Sequence, residues 1–250
     1  MSTPLNCVLL QGLSREQRHW EDFPDRLARA IPGLRPILVD LPGNGALFQR
    51  TSPDTVEDLV EAVREEVRAL KCDPPYLVLG LSLGGMLAWD WMLAYPQEIS
   101  GIVVMNTSLG GECSLTKRMF PKSFLRLAAA FMRRDALARE RAIVHWMSNR
   151  RDDTQVLAAR WAEYARQCPV SSANVLRQLR AAARFHPGEE QPTRPVLVLS
   201  SSADRVTSPD CSLAVAQHHG LLMHSHPKAG HDLPLDAPVW VIEQLARWLV

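Results

Sequence analysis

Residues 80–85 read Gly80-Leu81-Ser82-Leu83-Gly84-Gly85, directly after the apolar run Tyr76-Leu77-Val78-Leu79. A glycine-flanked serine between two apolar stretches describes a sharp turn from a strand into a helix. A serine at such a turn sits in strained backbone, and its hydroxyl stands clear of the sheet. Side chains two positions before and after it would collide, so Gly80 and Gly84 suit the turn. The helix that follows, near Leu83–Tyr95 and stopped by Pro96, begins with unpaired N–H groups of partial positive charge. Nucleophilic attack by the serine on a carbonyl, with the oxyanion held by those amides, is the chemistry such residues support.

A serine hydroxyl needs a base within hydrogen-bond reach, and the base needs an orienting acid. His231 is placed to be the base, since it follows the last strand, after Gly230 and before the final helix. His224 and His226 lie in or beside that strand, and His218 and His219 end a helix facing solvent. His19, His145 and His186 read as lying outside this edge of the sheet. Asp204 is placed to be the acid, just past the strand Val196–Ser200, whereas Asp210, Asp232 and Asp236 read as helix caps or loop residues. The chain order Ser82, Asp204, His231 is the one expected for a serine on a strand–helix elbow. Two backbone N–H donors complete the set: Leu83, next to the serine, and Leu13 in the segment Gln11-Gly12-Leu13, where Gly12 permits close approach. Expected walls of the substrate pocket are Gly12, Leu13, Trp20, Asn106, Phe131, Trp146 and Trp161.

The elements that would position these residues alternate. Strands are expected at Cys7–Gln11, Pro36–Asp40, Tyr76–Leu81, Gly101–Asn106, Val196–Ser200 and Leu221–His224. Helices are expected near Trp20–Ala30, Asp54–Lys71, Leu83–Tyr95, Pro209–His218 and Pro238–Leu249, the second capped by Ser52 with Pro53 as its first residue. Such alternation implies an α/β fold, a mostly parallel doubly wound sheet with ligands bound beyond its carboxyl edge. Residues 112–190 break the pattern with helices alone, the clearest near 152–167 behind Asp152 or Asp153, followed by one started by Ser171 or Ser172. The chain thus divides into a core of 1–111 and 191–250 and an inserted helical lid of 112–190. The insertion has 15 Lys and Arg against 8 Asp and Glu, a net of +7 that leaves −6 for the rest of the chain. That asymmetry suits an acidic substrate or partner.

A chain of 250 residues, 46% hydrophobic, fits one large domain with an insertion. The net charge of +1 argues against a nucleic-acid binder or a membrane-surface protein. Residues 77–95 are interrupted by glycines, Ser82 and Asp90, so no membrane span is expected there. The five cysteines (7, 72, 113, 168 and 211) show no paired spacing and read as free thiols in a reducing compartment. Met1 to Gln11 lacks a basic leader followed by an apolar stretch, and a cytoplasmic location is expected. No spacing suggests a metal, and no glycine loop fits a nucleotide cofactor; Gly43-Asn44-Gly45 lacks the third glycine of the dinucleotide fingerprint.

With these residues placed, the chain resembles the α/β-hydrolase superfamily over almost its whole length. It looks most like the small lidded carboxylesterases and acyl hydrolases, including the esterases that demethylate pimeloyl-carrier-protein methyl ester. The matching pieces are Leu10-Gln11-Gly12, Asp40-Leu41-Pro42-Gly43-Asn44-Gly45, the Ser82 elbow, the Asp204 loop and Gly230-His231-Asp232. Gln11 and Asn44 stand where the family usually has histidine, both at positions that support loops. The resemblance implies cleavage of a small-molecule acyl ester or thioester by a Ser-His-Asp triad through an acyl-enzyme, without cofactor or metal. An acyl-carrier protein or coenzyme A thioester, drawn by the basic insertion, is the alternative substrate class. A ligand-binding protein that keeps the fold without its chemistry is the third reading.

Overall fold

A computed structural model describes residues 4–149 and 152–250. Met1–Thr3, where the leader reading begins, and Arg150 and Arg151, counted in the basic insertion, lie outside the described residues. Among the described residues the strands are β1 (Leu5–Leu10), β2 (Leu34–Leu38), β3 (Tyr76–Leu81), β4 (Ile99–Met105), β5 (Val196–Ser201) and β6 (Leu222–His226). They form one sheet in the order β2-β1-β3-β4-β5-β6, and every pairing is parallel. The helices are α1 (Phe23–Ala30), α2 (Val56–Ala69), α3 (Leu83–Ala94), α4 (Leu115–Arg118), α5 (Pro121–Phe131), α6 (Ala136–Met147), α7 (Thr154–Gln167), α8 (Ser172–Arg184), α9 (Pro209–His219), α10 (Leu233–Asp236) and α11 (Pro238–Trp248).

Every residue of β3 and β5 is buried, which is why these strands read as unbroken apolar runs. Alternate residues then divide between two cores. Val8, Leu10, Val78, Val104 and Val198 pack with α2, α3 and α9 on one face. Leu9, Leu79, Val103 and Leu199 pack with α1 and α11 on the other. Two layers of helix therefore enclose the sheet, as right-handed crossovers require.

The order of strands reverses at β1 and β3, and the segments that leave their carboxyl ends part there. Leu10 of β1 pairs with Gly80 of β3, so the chain two residues further on sets Gly12 beside Ser82. On the other side of β3, Ser201 at the end of β5 pairs with His226 at the end of β6, and the loops bearing Asp204 and His231 follow.

Helices α4 to α8 lie between β4 and β5. Leu127 of α5, Ile143 and Trp146 of α6 and Val175 of α8 meet Val206 from the loop after β5. Trp161 and Leu157 of α7 pack on Val144 of α6 and Leu235 of α10. The helical segment is thus tied to the core through the loops that follow β5 and β6.

Two local expectations are corrected. Helix α2 begins at Val56 rather than Pro53, because Thr55 supplies the cap by accepting the Asp58 N–H at 3.2 Å. Ser52 is buried instead, its N–H donated to Asn174 Oδ1 at 3.0 Å. The cysteines are not all free: Cys113, in the loop after β4, forms a disulfide with Cys211 of α9, the Cα atoms 5.4 Å apart. The two are 98 residues apart in sequence, so no local spacing reveals the pair. Cys7, Cys72 and Cys168 remain thiols. No described helix is long and apolar enough to cross a membrane.

Candidate active site

Ser82 caps the N-terminus of α3 with φ 54° and ψ −114°, a conformation that non-glycine residues adopt only under constraint. The constraint is visible on both sides. Ser82 N–H donates to Met105 O at 2.9 Å, and Ser82 O accepts from Gly85 N–H at 3.0 Å and from Thr107 Oγ1 at 2.7 Å. The glycines are there for space. A Cβ on Gly84 would stand 2.1 Å from Leu10 O, and one on Gly80 would stand 2.2 Å from Gly84 O. Both obstacles are backbone and cannot swing away. Gly84→Ala is therefore expected to destabilise the fold by about 3 kcal/mol or more, read as a lowered denaturant midpoint or loss of soluble protein.

Asp204 and His231 come together. Asp204 Oδ2 lies 2.8 Å from His231 Nδ1, with both side chains buried. The other oxygen, Oδ1, accepts the N–H groups of Val206 at 2.7 Å and Thr207 at 3.1 Å, which fixes the carboxylate. Burial opposes a charged imidazole at His231. The Asp204 charge and hydrogen bond outweigh it and hold the pKa above its ordinary value of 6.5. The adjacent acid serves a different purpose, since Asp232 Oδ1 caps α10 through Leu235 N–H at 3.3 Å. Burial, then the charge of Asp236, raises the Asp232 pKa to about 7.

Asn106 belongs to this arrangement as a brace, and it also lines a cavity beside Ser82. Its Nδ2 donates to His231 O at 2.7 Å, Gly230 O at 3.2 Å and Ser201 Oγ at 3.0 Å, while Oδ1 accepts Ser201 N–H at 2.7 Å. It joins the end of β5 to the His231 loop. Asn106→Ala is expected to lower unfolding free energy by about 2–3 kcal/mol and to reduce activity, measured by urea unfolding with kcat/KM in parallel.

The two candidate oxyanion donors flank the serine. Leu83 is the first residue of α3, and its N–H has no intrahelical acceptor. Leu13 N–H finds no backbone acceptor among the described residues. Gly12, whose Cβ position is 3.3 Å from Ser82 Cβ, brings this loop against the serine. Gln11 and Asn44 act as loop supports. Gln11 Oε1 accepts Gly12 N–H at 3.2 Å, and Asn44 Nδ2 donates to Arg15 O at 2.8 Å.

Ser82 and His231 line one narrow cavity with Gly12, Leu13 and Trp146. The imidazole's hydrogen bond runs to Asp204 and none runs to Ser82 Oγ; in unliganded sites such bonds are commonly long and tighten with substrate. A larger cavity of about 420 Å³ opens from Ser82, Leu83 and Asn106 under α4, α5 and α8. A wider polar groove of about 1010 Å³ beside Glu21, Asp25 and Arg160 holds none of the candidate catalytic residues.

Other expected residues lie elsewhere. Trp20 is no pocket wall: it is buried in the core on the α1 side of the sheet, stacked on Phe23 at 5.8 Å. Trp161 is no pocket wall either: its Nε1 donates to Glu21 at 2.7 Å, and its ring packs with His19 at 4.7 Å. Phe131 lines a small neighbouring cavity without Ser82. His19 does not lie outside the carboxyl edge. It follows β1, buried beside Arg15 at 3.0 Å, and burial, reinforced by Arg15, holds its pKa well below 6.5. His219 does not face solvent: its ring packs on Trp89 at 4.9 Å. Glu112, His218 and His219 offer donor atoms within 4.8 Å of one another, a set whose chemistry could accept a metal ion. Among the cavity-lining residues that the sequence reading did not name, Thr107 follows a strand end and is open to the same argument as Asp204; Arg118 and Val206 carry no sequence signal.

A parallel α/β sheet with a serine on a strand–helix elbow defines an α/β hydrolase, and the chain belongs to the Alpha/beta hydrolase family, whose model matches residues 7–244. It is similar to a pimeloyl-[acyl-carrier protein] methyl ester esterase of Yersinia pseudotuberculosis, 32% identical over 103 residues, which are 41% of this chain and 36% of the relative. It is also 31% identical over 115 residues to a serine O-succinyltransferase of Xanthomonas oryzae, covering 46% of this chain and 25% of that one. The chain thus spans well under half the length of these curated relatives. Solved structures extend the likeness to the whole fold. An esterase from Exiguobacterium antarcticum superposes with TM-score 0.80 at 16% identity, covering 100% of this chain and 93% of that one. An enol-lactonase from Burkholderia xenovorans does so at 0.79 and 18%, covering 99% and 92%.

Proposed function

We propose that the chain is a serine hydrolase that cleaves a carboxylic ester or thioester. Ser82 Oγ attacks the acyl carbonyl, and His231 takes its proton. Asp204 holds the imidazole with Nδ1–H toward itself, leaving Nε2 for the serine, and stabilises the charge that forms. The Leu13 and Leu83 amides hold the oxyanion. His231 then protonates the leaving alcohol or thiol and later activates the water that releases the acid. The observation that carries this reading is the buried 2.8 Å contact between Asp204 and His231 beside a cavity shared with Ser82. The test is labelling by a fluorophosphonate probe, with Ser82→Ala as the control. Rapid labelling of the wild type alone is expected. Labelling that persists in the variant removes Ser82 as nucleophile, and absence of labelling in both favours a non-catalytic ligand-binding protein.

A second reading, hydrolysis of an acyl group linked to a carrier protein or coenzyme A, is favoured by the excess of 15 basic over 8 acidic residues in 112–190. The carrier-linked substrate named for the Yersinia relative points the same way. In this reading residues 112–190 act as a lid that draws an acidic partner. Its mark is turnover of a carrier-linked ester that falls steeply with salt while turnover of the free ester does not.

A further inference from the structure

The larger cavity beside Ser82 contains a cation without a counter-charge among the described residues. Arg118, at the end of α4, is 9% exposed and lines this cavity. Its hydrogen bonds reach only neutral acceptors. Nε donates to Ser108 Oγ at 3.3 Å and Nη1 to Ala183 O at 3.3 Å. Nη2 donates to Ala182 O at 2.5 Å and toward Met86 Sδ at 3.9 Å. A guanidinium has five N–H donors, so a donor on Nη1 is left over.

The other buried arginines differ. Arg15 meets Glu140 at 2.8 Å, and Arg64 meets Glu98 at 2.7 Å. Buried charges are ordinarily paired in this way, because desolvating a lone ion is costly. The carbonyls of Ala182 and Ala183 belong to the last turn of α8, whose dipole offers Arg118 about half a negative charge. The remainder is uncompensated, and burial pulls the Arg118 pKa below its ordinary value. Among the described residues no acid lines the cavity; its second arginine, Arg180, already pairs with Asp54 at 3.2 Å. The cavity's lining also includes the apolar residues Leu13, Met86, Leu179 and Val206, which suit methylene groups.

We propose that Arg118 receives a carboxylate on the acyl chain of the substrate, so that this cavity takes half-esters of dicarboxylic acids, ester carbonyl at Ser82 and free carboxylate at the guanidinium. The proposal rests on the hydrolase reading above and names its substrate class. Reaction of such a half-ester with water yields the diacid and the alcohol.

The test compares a series of monomethyl α,ω-dicarboxylates with neutral methyl esters of equal chain length. Wild type is expected to favour the best half-ester by about 10-fold or more in kcat/KM, mostly through KM, as one charge-assisted pairing allows. In Arg118→Met this ratio is expected to fall to near unity. Arg118→Lys, which keeps the charge but loses the planar fork, is expected to give an intermediate ratio. A purely structural role at the end of α8 lowers both rates alike and leaves the ratio unchanged, which overturns the proposal. So does a wild type without preference for the half-ester. An ester with its carboxylate on the leaving group, if it shows the larger preference, overturns the assignment to the acyl chain. Should Arg118→Met fail to fold, Arg118→Lys carries the comparison. Calorimetric binding of the dicarboxylate against the monocarboxylate needs no turnover. Tighter dicarboxylate binding that Arg118→Lys weakens upholds the anion site even if Ser82 fails to label; equal binding refutes it.

Discussion

Ser82→Ala is expected to lower kcat on an acyl ester by about 10⁵–10⁶-fold while leaving the protein folded. Alanine keeps the Cβ and the positive φ of 54°, so the elbow, the Met105 hydrogen bond and the packing of α3 have no reason to change. What disappears, under the proposed mechanism, is the oxygen that would form the acyl-enzyme. Residual rate comes from binding and the two amides, which alone retain some acceleration over water. The measurement is steady-state hydrolysis of a p-nitrophenyl acyl ester, with circular dichroism and thermal unfolding to establish that the fold is intact. Retention of most of the activity would sink the assignment of Ser82.

The second large effect is expected at Asp204. Asp204→Asn keeps the size of the side chain but offers the imidazole an amide in place of a carboxylate, which favours the wrong tautomer and leaves the developing charge unsupported. A loss of about 10³–10⁴-fold in kcat is expected. The pH profile gives an independent reading. His231 works as a base only when neutral, and its folded pKa is raised above 6.5, so wild-type kcat/KM should rise with pH on a limb centred above 6.5. In Asp204→Asn the larger raising influence is gone, while burial and the smaller influence of Asp232 remain, so the limb should move to lower pH even as the plateau falls. A limb that stays in place would show that Asp204 does not set the imidazole's charge. The same shift bears on stability: a raised folded pKa contributes stability that is fully present below the unfolded value of 6.5 and is lost as pH rises through the folded value.

What is legible in the sequence divides along physical lines. Strand β3 spans Tyr76–Leu81 as expected, because a strand enclosed on both faces reads as an uninterrupted apolar run. The fold class follows from alternation of such runs with helices, and both the sheet and the family match agree with it. The rule that loops at the carboxyl ends of parallel strands converge brings Asp204 and His231 to one expected place, and the structure sets them 2.8 Å apart. The rule fails for contacts made by side chains on separate helices. Trp20 and Trp161 sit at positions where an aromatic ring could face either a ligand or a core, and only packing decides, here for the core. Arg118 looks like any arginine of a basic helix until α8 closes over it. The Cys113–Cys211 pair is set by where α9 docks, a distance no spacing encodes.

The left-handed backbone at Ser82 has a consequence for descent. A non-glycine residue held there costs the folded state on the order of 1 kcal/mol, against a total stability of about ten times that. Glycine would relieve that strain, at an entropic cost of similar size in the unfolded chain. Under the proposed mechanism only the reaction demands a hydroxyl there, so a lineage released from it is free to change at position 82. Among descendants of this chain, the residue found there records whether selection still acts on the reaction.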